Sequence, residues 1–135
     1  MSNITQVVRT DKHMTTFKKG VIASGLDQVL SGRGPYTVFA PSDLAFGKLE
    51  AGTIENLLKP ENKIKLTDLL NHHVVEGKIN FRELKDGDQL KTLNGKLLSV
   101  KIDNAKVSIE GATIINRDVA TSNGVIHSLD TVLEN

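Results

Sequence analysis

The first thirty residues set apolar side chains at helical spacing in three separate clusters. Ile4, Val7 and Val8 form one, Met14, Phe17 and Val21 a second, and Leu26, Val29 and Leu30 a third. Each cluster makes one narrow stripe that needs a surface to cover. Ser31-Gly32-Arg33-Gly34-Pro35 then ends the helical part with residues that favour tight turns. Tyr36 to Ala40, β-branched and aromatic, predicts a strand, and Pro41-Ser42-Asp43 stops it. Ser42 is placed to cap a short helix running to Leu49, with Asp43 in its first turn against the positive end of the helix dipole. A further helical stretch starts near Thr53. Pro60 opens a third, in which Leu66, Leu69, Leu70 and His73 share one face.

From Val74 onward the period changes to two. Leu98, Val100 and Ile102 alternate with Ser99 and Lys101, and Val107 and Ile109 flank Ser108. Asp86-Gly87 and Asn94-Gly95 mark turns, and the second predicts a two-residue hairpin because both central residues must take positive φ. Asn123-Gly124 precedes a last strand. Helices first and strands afterwards, without βαβ alternation, predict an α+β fold with a largely antiparallel sheet or pair of sheets. With 135 residues and 39% hydrophobic content, the chain is sized for one core and one domain, residues 1–135. No internal repeat, low-complexity tract or linker breaks it.

Charge narrows the partners. Lys and Arg number 17 against 16 Asp and Glu, a net charge of +1, so no whole-molecule field draws nucleic acid or anionic lipid. Lys59, Lys63 and Lys65 interleave with Glu61 as on a solvated helix face, and four Phe and one Tyr leave little to stack on bases. Nucleic acid and direct membrane insertion are therefore not expected, the latter because no apolar run approaches roughly 18 residues. Zero cysteines remove disulfides and thiolate sites. Met1-Ser2-Asn3-Ile4 lacks the basic start and apolar core of a secretory signal, which reads as a cytoplasmic protein or a trimmed chain.

Candidate chemistry is sparse. His72 and His73 are adjacent, so their side chains point to different faces, and His73 and His127 read as hydrogen-bonded core or boundary residues before they read as metal ligands. No Gly-x-Ser-x-Gly turn occurs, and Gly32-Arg33-Gly34-Pro35 lacks the Lys and Ser or Thr of a phosphate loop. Asp43, Asp118 and Asp130 each stand beside a turn, cap or strand end where a backbone role suffices. The chain reads as non-enzymatic, with no catalytic, cofactor or metal site. Asp118 opens a polar connection to Gly124 that carries the isolated Val119. An acidic residue beside an aliphatic one on a loop suits steering and a small desolvated contact.

Thr37 to Phe46 and Asn123 to Leu133 together resemble the two signatures of the fasciclin domain family. Leu57-Leu58-Lys59-Pro60, His73-Val74-Val75-Glu76-Gly77 and Thr92-Leu93-Asn94-Gly95 fall between them in the family's order. The resemblance implies a wedge-shaped two-sheet β sandwich of about seven strands flanked by N-terminal helices, with the signatures as neighbouring core strands. Thr37, Phe39, Pro41, Asp43, Phe46, Gly124, Ile126, His127 and Asp130 would be its structural positions, Asp43 and His127 fixing the signatures by capping and hydrogen bonding.

The implied activity is adhesion by secreted, periplasmic or cell-surface proteins. The implied partners are a surface or matrix protein, a polysaccharide, or other copies of the domain in weak self-association. In animal members two sites are implied for integrin contact. One falls on Asp118 and Val119, the other on His72 and His73, where His72 stands in place of the family's Tyr and Glu76 in place of its Pro. A second reading is a small-ligand or sensing domain with a pocket between helices and sheets and His72 or His73 at its mouth. The adjacent histidines also suggest a contact that changes near pH 6 to 7.

Overall fold

The computed structural model describes residues 2–133. Three helices open the chain: α1 (Ile4–Thr10), α2 (Thr15–Ser24) and α3 (Leu26–Leu30). β1 (Tyr36–Pro41) follows, then α4 (Asp43–Gly47), α5 (Thr53–Leu57) and α6 (Lys63–Asn71). Six strands follow, with one 3-10 turn (Phe81–Glu83) between the first two: β2 (Val74–Glu76), β3 (Gln89–Lys91), β4 (Leu97–Asp103), β5 (Lys106–Ile109), β6 (Ala112–Thr121) and β7 (Gly124–Leu129). This is the α+β order that the change of period at Val74 predicts.

The strands join in the order β2-β1-β7-β6-β5-β4-β3. All neighbours are antiparallel except β1 and β7, which run parallel from Tyr36 opposite Gly124 to Pro41 opposite Leu129. The two signature segments are therefore neighbours at the centre, with both faces covered. Val38, Ala40 and Ile126 turn to one side and meet Ile4, Phe17, Val21, Leu30, Leu66 and Leu70 from the helices. Phe39 and Leu129 turn to the other side and meet Leu98, Val100, Val107 and Ile109. Covering both faces explains why β1 and β7 lack the apolar–polar alternation visible in β4.

β6 makes the two-sided arrangement by changing register between Ile114 and Asn116 and again between Asn116 and Val119. Its first residues pair with β5 and its last with β7. Such irregularities bend a strand and increase its twist. The far strands thus return over the second core, and the outer edges of the sheet meet where Val75 lies opposite Thr92.

Turn chemistry departs from the reading at one place. Thr92 N donates to Lys96 O, which leaves Leu93, Asn94 and Gly95 as a three-residue loop, and only Gly95 takes positive φ. The two-residue turns with both φ positive are Asn104-Ala105 and Glu110-Gly111. Neither has the Asn-Gly pattern, so their conformation comes from the strands they join.

Gly124 stands where the backbones of β1 and β7 are closest. A Cβ there would lie 1.9 Å from the carbonyl oxygen of Tyr36, and backbone on both sides cannot yield. We expect Gly124→Ala to lower unfolding free energy by more than about 3 kcal/mol, because the strain falls on the central pair. Gly47→Ala, at a helix position with open space around it, is expected to raise stability by about 0.5 kcal/mol. Urea unfolding midpoints of the two variants test both signs.

Candidate functional site

The polar residues of the signatures serve the backbone. Thr37 Oγ1 donates to Gly77 O at 2.6 Å and accepts from Ile79 N at 2.8 Å. Ser42 Oγ donates to Leu129 O at 3.0 Å and accepts from Ala45 N, capping α4 while tying it to β7. Asp43 lies in the first turn of α4, yet its carboxylate accepts from Thr16 N at 2.9 Å and Thr15 Oγ1 at 2.7 Å at the start of α2. Helix α2 has no side-chain cap of its own, so Asp43 supplies one from across the fold. Burial pushes the Asp43 pKa up, and the bonds from Thr16 and Thr15 outweigh it and hold the carboxyl below its usual range. Asp130 Oδ1 accepts from Thr113 N at 2.9 Å, joining the end of β7 to β6.

His73 and His127 are both out of contact with solvent. His73 Nδ1 lies 2.8 Å from Leu69 O, and its Nε2 accepts from Leu133 N at 2.9 Å. His127 Nε2 lies 2.8 Å from Ile79 O, and its Nδ1 accepts from Asp118 N at 3.2 Å. Each ring is thus a neutral imidazole that donates to a carbonyl on one side and accepts an N–H on the other. His127 also stacks on Phe39 with ring centroids 5.6 Å apart. Among the described residues no three His, Cys, Asp or Glu converge as metal ligands would.

The four residues considered for partner contact separate into two environments. His72 is buried with Nδ1 3.4 Å from Asn94 Oδ1, and it meets His73 edge to face. The pair is buried at the end of α6. The helix–sheet space is filled by side chains such as Phe17, Leu30, Leu66 and Leu70.

Asp118 is exposed, but it does not lie on a connection. β6 continues to Thr121, so Asp118 lies in the register shift, Val119 resumes the pairing after it, and Ser122-Asn123 alone make the turn. Asp118 takes φ 54°, and its Oδ1 accepts from Phe81 N at 2.8 Å. Val119 packs against the helix-side core.

Three neighbours of Asp118 carry no signal in the linear sequence. Phe81 is held beneath Arg117, whose guanidinium carbon lies 4.1 Å from the ring centroid. Ile115, on the same strand, is 52% exposed. A surface cavity of about 430 Å³ is bounded by Phe81, Ala105, Ile114, Ile115, Asn116 and Arg117. Phe81 and Arg117 are 36 positions apart, and the bond of Phe81 N to Asp118 together with the pairing of β5 and β6 gathers these residues.

The buried histidines give stability a pH dependence. Burial pushes the His73 pKa down, the Leu69 carbonyl opposes this, neighbouring His72 adds to it, and the result is about 4. Burial likewise lowers His127, against the Ile79 carbonyl and the Asp118 charge. The unfolded chain binds these protons near pH 6.5 and the folded chain does not, so stability is full above pH 6.5 and is lost as pH falls toward 4. For His73 the loss is on the order of 3 kcal/mol. Denaturant titrations from pH 7.5 to 4 should show this slope, and His73→Gln should be less stable at pH 7.5 yet flatter across the range. A His73→Gln slope equal to wild type would refute the assignment. In the folded chain His73 stays neutral through pH 6 to 7, so its own charge does not change a contact there.

Comparison with known proteins agrees with the fold. The chain is 44% identical over 130 residues to Protein sll1483 of Synechocystis, covering 96% of this chain and 72% of that protein. It is 39% identical over 134 residues to transforming growth factor-beta-induced protein ig-h3 of Sus scrofa, covering 98% of this chain and 19% of that protein. A solved domain pair from the insect cell adhesion molecule fasciclin I superposes with a TM-score of 0.89 at 18% identity, over 99% of this chain and 51% of that one. The Fasciclin domain family model matches residues 12–135. Two signature strands paired at the centre, a relative alike over nearly the whole chain and this family match place the chain in the fasciclin domain family.

Proposed function

We propose that the chain is an extracytoplasmic adhesion module, without catalytic activity, that binds a surface or matrix protein or a polysaccharide through the irregular part of β6. The observation that carries this reading is the exposed Ile115 beside Arg117 stacked on Phe81. Arginine and aromatic anchors next to an aliphatic contact are the composition of interface hot spots. Asp118 acts within this surface by positioning Phe81 under Arg117, and Val119 ties the same segment to the core. His72 and His73 are buried at the end of α6 and stand outside this surface. The fold shared with an insect cell adhesion molecule supports the class of function.

One surface of this size suits transient contact, so working strength comes from several copies or from tethering. Among the described residues no helix is long and apolar enough to cross a membrane. Matrix-protein and glycan arrays probed with a multimerised form test the reading. Arg117→Ala and Ile115→Ser are each expected to reduce bound signal at least about tenfold, a loss of about 1.4 kcal/mol, with an unchanged melting temperature. Equal binding by wild type and both variants would remove β6 from the site. Binding to nothing on either array would remove adhesion itself.

A further inference from the structure

Three bonds close a loop between one buried ring and the two segments that build the β6 surface. His127 Nε2 donates to Ile79 O at 2.8 Å, and its Nδ1 accepts from Asp118 N at 3.2 Å. Two residues beyond Ile79, Phe81 N donates to Asp118 Oδ1 at 2.8 Å. The ring thus holds the start of the segment that carries Phe81, and also the residue whose carboxylate receives Phe81. Thr37 Oγ1 accepts from Ile79 N and fixes the same segment to β1. Arg117, stacked on Phe81, stands next to Asp118 in the chain.

Asp118 depends on this hold. At φ 54° it occupies the left-handed region, where a residue with a Cβ is strained and persists only when its surroundings fix it. It falls in the register shift between Asn116 and Val119, so no partner residue on β7 fixes it. Its amide is bonded to the His127 ring and its carboxylate to Phe81 N. Loss of the first bond leaves the backbone to relax toward the extended region, which swings the carboxylate away from Phe81.

Resting on the adhesion reading of this surface, we propose that His127 is its positioning residue, and that a proton gained at Nδ1 releases Phe81 from beneath Arg117. A neutral Nδ1 accepts the Asp118 amide, whereas a protonated one directs an N–H at that N–H and the bond is lost. Nε2 donates to Ile79 O in both states, and the ring keeps its stack on Phe39, so the change is confined to the Asp118 side. The groups packed on the ring from β1 and from the turn after β2 are Phe39 and the Ile79 carbonyl, both uncharged. Among the described residues the charge that acts on the ring is the Asp118 carboxylate on β6. That carboxylate is the natural acceptor for the new N–H, and turning toward it gives up Phe81 N.

The sign follows from burial, which holds His127 below its ordinary value of 6.5. The surface is assembled above pH 6.5 and opens as pH falls below it. His73 bonds to Leu69 and Leu133 and touches neither Phe81 nor Asp118, so its own titration leaves this surface alone.

NMR of the intact chain reads the coupling without any ligand. The His127 ring, the Phe81 amide and the Arg117 side-chain protons, which lie in the ring current of Phe81, are followed from about pH 7.5 to 4.5. Phe81 and Arg117 are expected to move with the His127 ring at one midpoint, with at least about half of the Arg117 upfield shift lost. The amide shifts of Val100 and Ile109, in the far core, should stay in place. His127→Gln keeps a donor and an acceptor without titrating, so it should retain the Arg117 shift at neutral pH and abolish its response to acid. His73→Gln should leave that response unchanged. A His127 ring that stays neutral throughout, or that titrates while Phe81 and Arg117 remain fixed, overturns the proposal. So does movement that coincides with loss of the Val100 and Ile109 shifts, because the ring then gains its proton only by unfolding. On the matrix and glycan arrays, bound signal should fall at least about fivefold across the same midpoint, and signal that stays level would break the link between His127 and binding. Arrays that bind nothing at any pH would remove the adhesion reading and leave the NMR coupling standing.

Discussion

The parallel contact between β1 and β7 is the constraint on which the rest of the molecule depends. These strands approach so closely at Tyr36 and Gly124 that no side chain fits between their backbones. Because both faces of the pair are covered, a slip of one residue would send Phe39 into the helix-side core and Val38 into the other. The residue before Gly124 pins the register. Asn123 O accepts from Tyr36 N at 3.0 Å, its Nδ2 donates to Leu30 O and Gly32 O at 2.7 and 2.8 Å, and its Oδ1 accepts from Ile4 N at 2.9 Å. The side-chain amide of Asn123 thus connects the start of α1 to the end of α3, and its carbonyl holds the entry to β1, which is more than its place in a turn before a strand suggests.

Satisfying polar groups around this pair explains the histidines without chemistry. Where β1 and β7 leave the sheet, chain segments pass that cannot pair with a strand: the end of α6, the turn at Ile79, the bulge at Asp118 and the segment at Leu133. A neutral imidazole has a donor and an acceptor on opposite sides of a flat ring, so it can join a carbonyl of one segment to an N–H of another. His73 does this for Leu69 and Leu133, and His127 for Ile79 and Asp118. Among the described residues no buried side-chain nitrogen or oxygen is left without a hydrogen bond. A protonated ring would place an N–H against an N–H at each junction, so the same geometry that holds these segments also keeps both histidines neutral.

Features written in neighbouring residues were legible, and features made by distant pairing were not. The stripes of α1 and α2, the strand at Tyr36, the cap at Ser42 and the alternation of β4 each depend on residues within a few positions, and the structure carries them. Asp43 was placed in its own helix correctly, but its cap on α2 joins residues 28 positions apart. Asp118 and Val119 look like part of a loop because charge and polarity gather there, whereas β6 bulges at Asp118 and resumes its pairing with β7 at Val119. The apolar stripe through Leu66 and Leu70 does place His73 on the buried side. His72 is buried too because the chain turns from α6 into β2 at that point, and periodicity cannot report where a helix stops being a helix. Arg117 and Phe81 meet only through tertiary structure.

The signature residues are consumed by the framework, which moves any recognition to places where the ladder is imperfect. A complete strand pair satisfies its own backbone and offers a partner only side chains. The shift in β6 breaks that closure and leaves Arg117 over Phe81 at the surface. With a net charge of +1 the molecule has no field to accelerate encounter, so association runs at the ordinary rate set by orientation, and selectivity must come from residence at short-range contacts.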